Sequence, residues 1–300
     1  MTERNLLPFG MAFLANFILC ASSIYWHLFV GLSPVALVIY RIAFSLVLLG
    51  LLVGWLASRG SDALRRMTGR VVALHVAAAI LVAINWGAFI WASLRGSVLE
   101  SGLGYLLAPV FVMIVGLLFL SESRSSPRLA CIAVILLALV TLVTASGDLE
   151  HWVYWTIGAT WGAYTLLKKR TPLSPIEGLF VETTTLSILL VLASAWVDFG
   201  PHAPAASQVL AFPWLAAAGL VSVAPLVMFA FAARTLGAFD MGALQFVLPT
   251  TQLLVSYAYY GQVAAVATYV CFGVIWMALV ALTLFEGRVF ARRSACRRSS

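Results

Sequence analysis

Apolar runs of about twenty residues recur ten times along this 300-residue chain, and that pattern constrains its fold more than any motif within it. A helix rising ~1.5 Å per residue crosses the ~30 Å hydrocarbon core of a bilayer in that length. Within lipid, backbone N–H and C=O groups must be satisfied internally, which leaves helices or a closed barrel. Barrel strands are only ~10 residues long and alternate in polarity. These runs are continuous, so the expected class is an all-α integral membrane protein with ten transmembrane helices. A water-facing domain is excluded as well. Soluble domains are about a quarter charged, whereas this chain is 63% hydrophobic, 10% charged and has a mean hydropathy of +1.03.

The runs predict spans at Leu7–Phe29, Pro34–Leu56, Val71–Ser93, Leu99–Leu120, Pro127–Thr144, His151–Leu167, Pro175–Val197, Trp214–Thr235, Met241–Tyr260 and Ala264–Phe285. Pro34, Pro127 and Pro175 open helices, where the missing N–H is harmless. The first run has spanning length and lacks a small-residue cleavage site, so it reads as a helix rather than a cleaved signal.

Charge gives the orientation. Sixteen of the eighteen Lys and Arg residues fall at one face: Arg4, Arg59, Arg65, Arg66, Arg70, Arg124, Arg128, Lys168, Lys169, Arg170, Arg234, Arg288, Arg292, Arg293, Arg297 and Arg298. Arg95 alone falls at the other, and Arg41 lies within a span. Basic loops stay in the cytoplasm, so both termini are expected there, in a multi-pass protein of the cytoplasmic membrane. The net charge of +7 is this loop bias and does not indicate a nucleic-acid surface. Cys20, Cys131 and Cys271 sit inside spans and Cys296 in the tail, with no metal or disulfide spacing. No cofactor is expected.

A shift of 140 or 141 residues lays one half of the chain on the other. Ser33-Pro34 falls on Ser174-Pro175, Arg41 on Glu182, Phe89 on Phe229, Glu100 on Asp240, Gly102 on Gly242, Pro109 on Pro249 and Glu122 on Gln262. Each unit holds five helices, an odd number, so the second enters the membrane from the opposite face. The predicted organisation is one unit over 1–147, an inverted one over 148–287, and a basic tail over 288–300. Inverted repeats of this kind build alternating-access carriers with a midplane site between the halves. The expected function is therefore secondary transport of a small solute, with the proton as candidate coupling ion. No Walker A, His-Glu-x-x-His or Gly-x-Ser-x-Gly motif is present. The rival readings are a non-transporting receptor or structural protein, or an intramembrane enzyme.

Several segments resemble the RarD branch of the EamA family, within the drug/metabolite transporter superfamily. They are Asn85-Trp86-Gly87-Ala88-Phe89-Ile90-Trp91-Ala92, Val98-Leu99-Glu100, and Leu103-Gly104-Tyr105 with Pro109. Gly162-Ala163-Tyr164 before Lys168-Lys169-Arg170, Gly178 to Thr183, Pro225 with Phe229, and Leu244-Gln245 with Pro249-Thr250 extend the likeness over residues 5–285. The resemblance implies a ten-helix transporter of the cytoplasmic membrane, in a branch named for chloramphenicol sensitivity. This chain departs from the family pattern at Leu19-Cys20, Ser23, His27, Ala108 and Gly261-Gln262. Those departures imply substrate or ion contacts of its own.

Arg41 and Glu182 are the charged residues set well inside spans, each seven residues past a helix-start proline and about 10 Å deep. Charge at that depth usually faces a bundle interior or a wet cavity. The expected partners are Glu100 for Arg41, and Arg234 or Arg170 for Glu182. Asn85, Tyr105, Gln245 and Gln252 are hydrogen-bonding groups in apolar helices, fit for a solute or for helix–helix contacts. Trp86, Trp161 and Tyr164 are candidates for an aromatic cavity wall. Asn85, Tyr105, Trp161, Glu182 and Gln245 are expected to face a common space. Trp55, Trp152, Trp155, Trp196 and Trp214 read as interfacial, and His75 as simply buried.

Overall fold

A computed structural model describes residues 6–299, apart from 30–31, 63–66, 96–97, 121, 123, 146–149, 197–212, 260 and 262. Of the residues used above, Arg4, Arg65, Arg66, Val197, Tyr260 and Gln262 lie outside this set. The described residues form eleven α-helices and one 3-10 turn. They are α1 (Leu7–His27), α2 (Pro34–Ser58), α3 (Gly69–Arg95), α4 (Val98–Phe119), α5 (Ser126–Ala145), α6 (His151–Arg170), α7 (Pro175–Ser194), the 3-10 turn Pro213–Ala217, α8 (Ala218–Thr235), α9 (Ala238–Gln245), α10 (Val247–Ala258) and α11 (Val266–Ser299).

Local chemistry fixes several starts. Ser33 Oγ accepts from Ala36 N at 3.1 Å ahead of Pro34. Ser174 and Glu177 form a reciprocal capping box ahead of Pro175. Each satisfies N–H groups that a helix N-terminus leaves free. Glu122 caps the start of α9 by accepting from Ala238 N and Phe239 N.

Eight of the helical stretches are long and apolar enough to cross a membrane. The expected sixth and ninth spans fall outside that group for different reasons. α6 ends in Lys168, Lys169 and Arg170 and turns Thr160, Thr165 and Lys168 into the protein interior. The ninth run is two helices joined at Phe246. Pro249 accounts for the break: it has no N–H to give the Gln245 carbonyl, and its ring crowds that carbonyl. Phe246 N turns instead to Ala243 O at 3.4 Å. The last helix also runs past the predicted Phe285 to Ser299, through the basic tail.

Packing follows a paired pattern. α3 lies on α6 as α8 lies on α1, and α3 lies on α7 as α8 lies on α2. α4 packs on α6 as α9 and α10 pack on α1, while α2–α7, α4–α9 and α5–α11 pair across the centre. When the halves of the chain are exchanged, the flanking contacts map onto their counterparts and the three central pairs onto themselves. The α4–α6 contact is unusually close. A Cβ on Gly104 would meet Ile157 Cβ at 2.6 Å, and one on Gly162 would meet Phe111 Cδ1 at 2.5 Å. Small residues let membrane helices approach at such distances.

Candidate functional site

A cavity of about 510 Å³ enters the bundle where α1 ends and α2 begins. His27, Phe29 and Leu32 stand at its rim. Farther in, α1 contributes Cys20 and Ser23, α2 Arg41, α3 Trp86 and Phe89, α4 Tyr105, α6 Trp161, and α10 Leu248 and Gln252. A pocket of this size takes a small organic molecule.

Arg41 is the charge in its depth. The guanidinium carbon lies 4.1 Å from the Trp86 ring centroid and 6.0 Å from that of Trp26. This corrects the expected ion pair with Glu100. Glu100 is buried in the first turn of α4, and its Oε1 accepts from Glu150 N at 3.4 Å. Its carboxylate serves the junction before α6, where a helix N-terminus welcomes negative charge. Below Arg41 a second, much smaller space of about 20 Å³ is bordered by Ser45, Thr183 and Ser222.

The cavity ends on an aromatic floor. Tyr105 meets Trp161 edge-on at 6.2 Å, and Trp161 stacks on Tyr164 at 5.4 Å and leans on Phe229 at 5.2 Å. Trp86, Tyr105 and Trp161 therefore line the cavity, whereas Tyr164 lies behind its floor. Asn85 is also behind the wall. Its Nδ2 donates to Ile157 O at 3.1 Å and Thr160 Oγ1 at 3.0 Å, and its Oδ1 accepts from Tyr105 Oη at 3.1 Å. Gln245 donates to Thr165 Oγ1 at 2.9 Å. The expectation that Asn85, Tyr105, Trp161, Glu182 and Gln245 face one space is met by Tyr105 and Trp161 alone; the other three are buried in interhelical contacts.

Beyond the floor sits a buried charged cluster. Glu182 Oε1 accepts from Lys168 Nζ at 2.6 Å and lies 2.7 Å from His75 Nδ1, while Oε2 accepts from Tyr164 Oη at 3.3 Å. All four residues are buried. The partners are thus Lys168 and His75, instead of the expected Arg234 or Arg170. Arg234 instead donates to the carbonyls of Leu173 and Pro172, and Lys169 to that of Leu236. His75 is an acid's neighbour rather than a simply buried ring. It fits because α7 carries glycine opposite it: a Cβ on Gly178 would stand 2.6 Å from His75 Cε1. Lys168 had one sequence signal, since Trp161, Tyr164 and Lys168 share one helical face at spacings of three, four and seven.

Comparison with protein-family models finds no match. Among curated proteins, an uncharacterized transporter of Pseudomonas aeruginosa is 32% identical over 90% of this chain and 90% of its own. The uncharacterized transporter YojE of Bacillus subtilis is 29% identical over 88% of this chain and 89% of its own. The chloramphenicol-sensitive protein RarD of Pseudomonas aeruginosa is 28% identical over 91% and 92%. One crystal structure aligns over 94% of this chain and 100% of its own, with a TM-score of 0.67 at 16% identity, and speaks for the fold alone.

Proposed function

We propose, from the premise that this chain belongs to the RarD-like branch of the EamA family in the drug/metabolite transporter superfamily, that it carries a small solute across the cytoplasmic membrane by alternating access. The observation that carries the reading is a cavity open at one end of the bundle with a buried Lys168–Glu182–His75–Tyr164 cluster beyond its aromatic floor, which we read as a seal. An open mouth, an aromatic floor and an ion-paired seal make one state of a two-state device. The second state needs the seal to open and the mouth to close. The exchangeable packing of α1–α4 and α6–α10 supports the division into units at 1–147 and 148–287, with 288–300 as a tail.

The basic bias puts the sealed end in the cytoplasm with both termini, so the cavity faces outward. Glu182 and His75 are the groups for proton coupling. Protonating Glu182 removes the charge that holds Lys168, and the seal then loses its main attraction. Solute and proton thus act at sites joined by Trp161 and Tyr164.

The test needs no known solute. Spin labels at Leu28 and Tyr257 span the mouth, and labels at Phe119 and Arg170 span the sealed end, each pair on a cysteine-free background. A carrier gives two distance populations at each end, with the outer short when the inner is long. Glu182→Gln should enlarge the inner-open population. Single, fixed distances at both ends in wild type and variant would sink the carrier reading in favour of a receptor or structural protein.

A further inference from the structure

We infer that the cavity binds an organic anion with a flat apolar body, whose acid group supplies a charge that the mouth itself lacks; the inference rests on the carrier reading above. The shift of 141 residues that lays Ser33 on Ser174 also lays Arg41 on Glu182 and His27 on Lys168. In the second half these two positions are complementary. Lys168 and Glu182 meet at 2.6 Å, buried, and close their end of the bundle. In the first half the same two positions are both basic, and both line the cavity. The position that holds the acid in the seal therefore holds Arg41 in the mouth.

The walls leave that acid to come from outside. Among the described residues that line the cavity there is no carboxylate. Arg41 Nε is buried without a hydrogen-bond partner. The guanidinium carbon lies over the two indole rings, at 4.1 and 6.0 Å, and the unpartnered Nε stands on the edge of the group. That edge is a planar fork of N–H donors matched to a carboxylate or similar oxyanion. Phe89, Tyr105 and Trp161 provide the surfaces against which a flat apolar body stacks. Closing the mouth over a cation would set a second positive charge beside Arg41. Closing it over a neutral molecule would bury Arg41 uncompensated. An anion alone completes the pair that the other end already has.

The experiment titrates the reconstituted full-length protein with 3-phenylpropionate, its uncharged amide 3-phenylpropionamide and the cation 3-phenylpropylamine, read by intrinsic tryptophan fluorescence. The acid should quench saturably, the amide should bind about tenfold more weakly or worse, as loss of a charge-assisted contact predicts, and the amine should not bind. Arg41→Gln should bind acid and amide alike, and Arg41→Lys should keep part of the preference. Equal binding of the amide or amine by wild type, no binding of the acid, or an undiminished preference in Arg41→Gln would each overturn the inference. Should Arg41→Gln fail to fold, the wild-type series and Arg41→Lys decide. The spin-label distances are read without any ligand. Alternation without acid preference therefore removes only this inference, and acid preference with fixed distances removes only the carrier.

Discussion

At one end of the bundle Lys168 and Glu182 meet at 2.6 Å with His75 and Tyr164 around them; at the other, His27 and Arg41 stand about a 510 Å³ opening. The helices are counterparts, α6 and α7 against α1 and α2, so topology is not what separates the two ends. Side chains do, in two ways. The first is charge, an opposite pair against two bases. The second is the small residues. α6 presents Gly158 and Gly162 to α4, which answers with Gly104, and the three let the backbones close. The matching positions in the other half are Phe17, Ala21 and Leu244. α1 packs on α9 and α10 without these glycines, whereas glycine lets α6 lie close on α4. Under the carrier reading proposed above, a few substitutions on one side bias a pair of similar units to one state.

Removing one partner of the seal should break this comparison most severely. Lys168→Met leaves Glu182 buried with His75 and Tyr164 only, and should lower stability by about 3–5 kcal/mol, read as melting temperature in detergent. The double variant Lys168→Met/Glu182→Leu should recover most of that loss. An unchanged melting temperature for the single variant would mean that the pair holds nothing together.

Next in size is the close contact between α4 and α6. Gly104→Val puts atoms where Ile157 Cβ lies 2.6 Å from the ideal Cβ position, and should cost about 1–3 kcal/mol. It should also raise the Phe119–Arg170 spin-label distance, because α6 carries the seal. Leu244→Val, at the matching position, should change neither reading much. If both substitutions behave alike, glycine is not what distinguishes the two ends.

Asn85→Ala tests the middle that both ends share. It removes the bonds to Ile157 O and Thr160 Oγ1 and the one from Tyr105 Oη. At ~0.6 kcal/mol for each interhelical bond the loss is about 2 kcal/mol. The freed Tyr105 hydroxyl should weaken or alter binding in the cavity. A stability loss with ligand titrations unchanged would confine Asn85 to packing.

The smallest effect is the most pointed. His27→Lys with Arg41→Glu copies the inner pair into the mouth. An ion pair worth about 1 kcal/mol shifts a two-state balance roughly fivefold. Alkylation of a cysteine introduced at Ser23 should slow by that factor. Arg41→Glu alone should not slow it. Equal rates in all three proteins would mean that charge does not govern the mouth.

The membrane class was legible because continuous apolar runs admit few folds, and the helix starts because Ser33-Pro34 and Ser174-Pro175 cap helices by local chemistry. Partners were harder to read. Lys168 stands in a run of three basic residues, which looks like a cytoplasmic connection, yet α6 continues and turns that side chain inward. Glu182 and Arg41 were recognisable as interior charges by depth. Depth says nothing of the direction in which a side chain leaves its helix, and Arg41 turns to Trp86 instead of Glu100. His75 could not be assigned from its own span, because what matters is Gly178 on a helix one hundred residues away.

The break that Pro249 makes at Phe246 has a mechanical consequence. It divides the ninth crossing into helices of 8 and 12 residues, about 12 and 18 Å long. Neither spans the bilayer by itself, so both must stay at their depth, like two arms on one elbow. The first arm, α9, is clamped, since a Cβ on Gly242 would stand 2.6 Å from Met113 Cγ and 2.7 Å from Pro109 O. The second arm, α10, bears Leu248 and Gln252 on the cavity wall. A flex at the elbow would swing that wall and leave α9 packed on α4. A continuous helix would have to tilt as a whole and give up its packing at one end to move at the other.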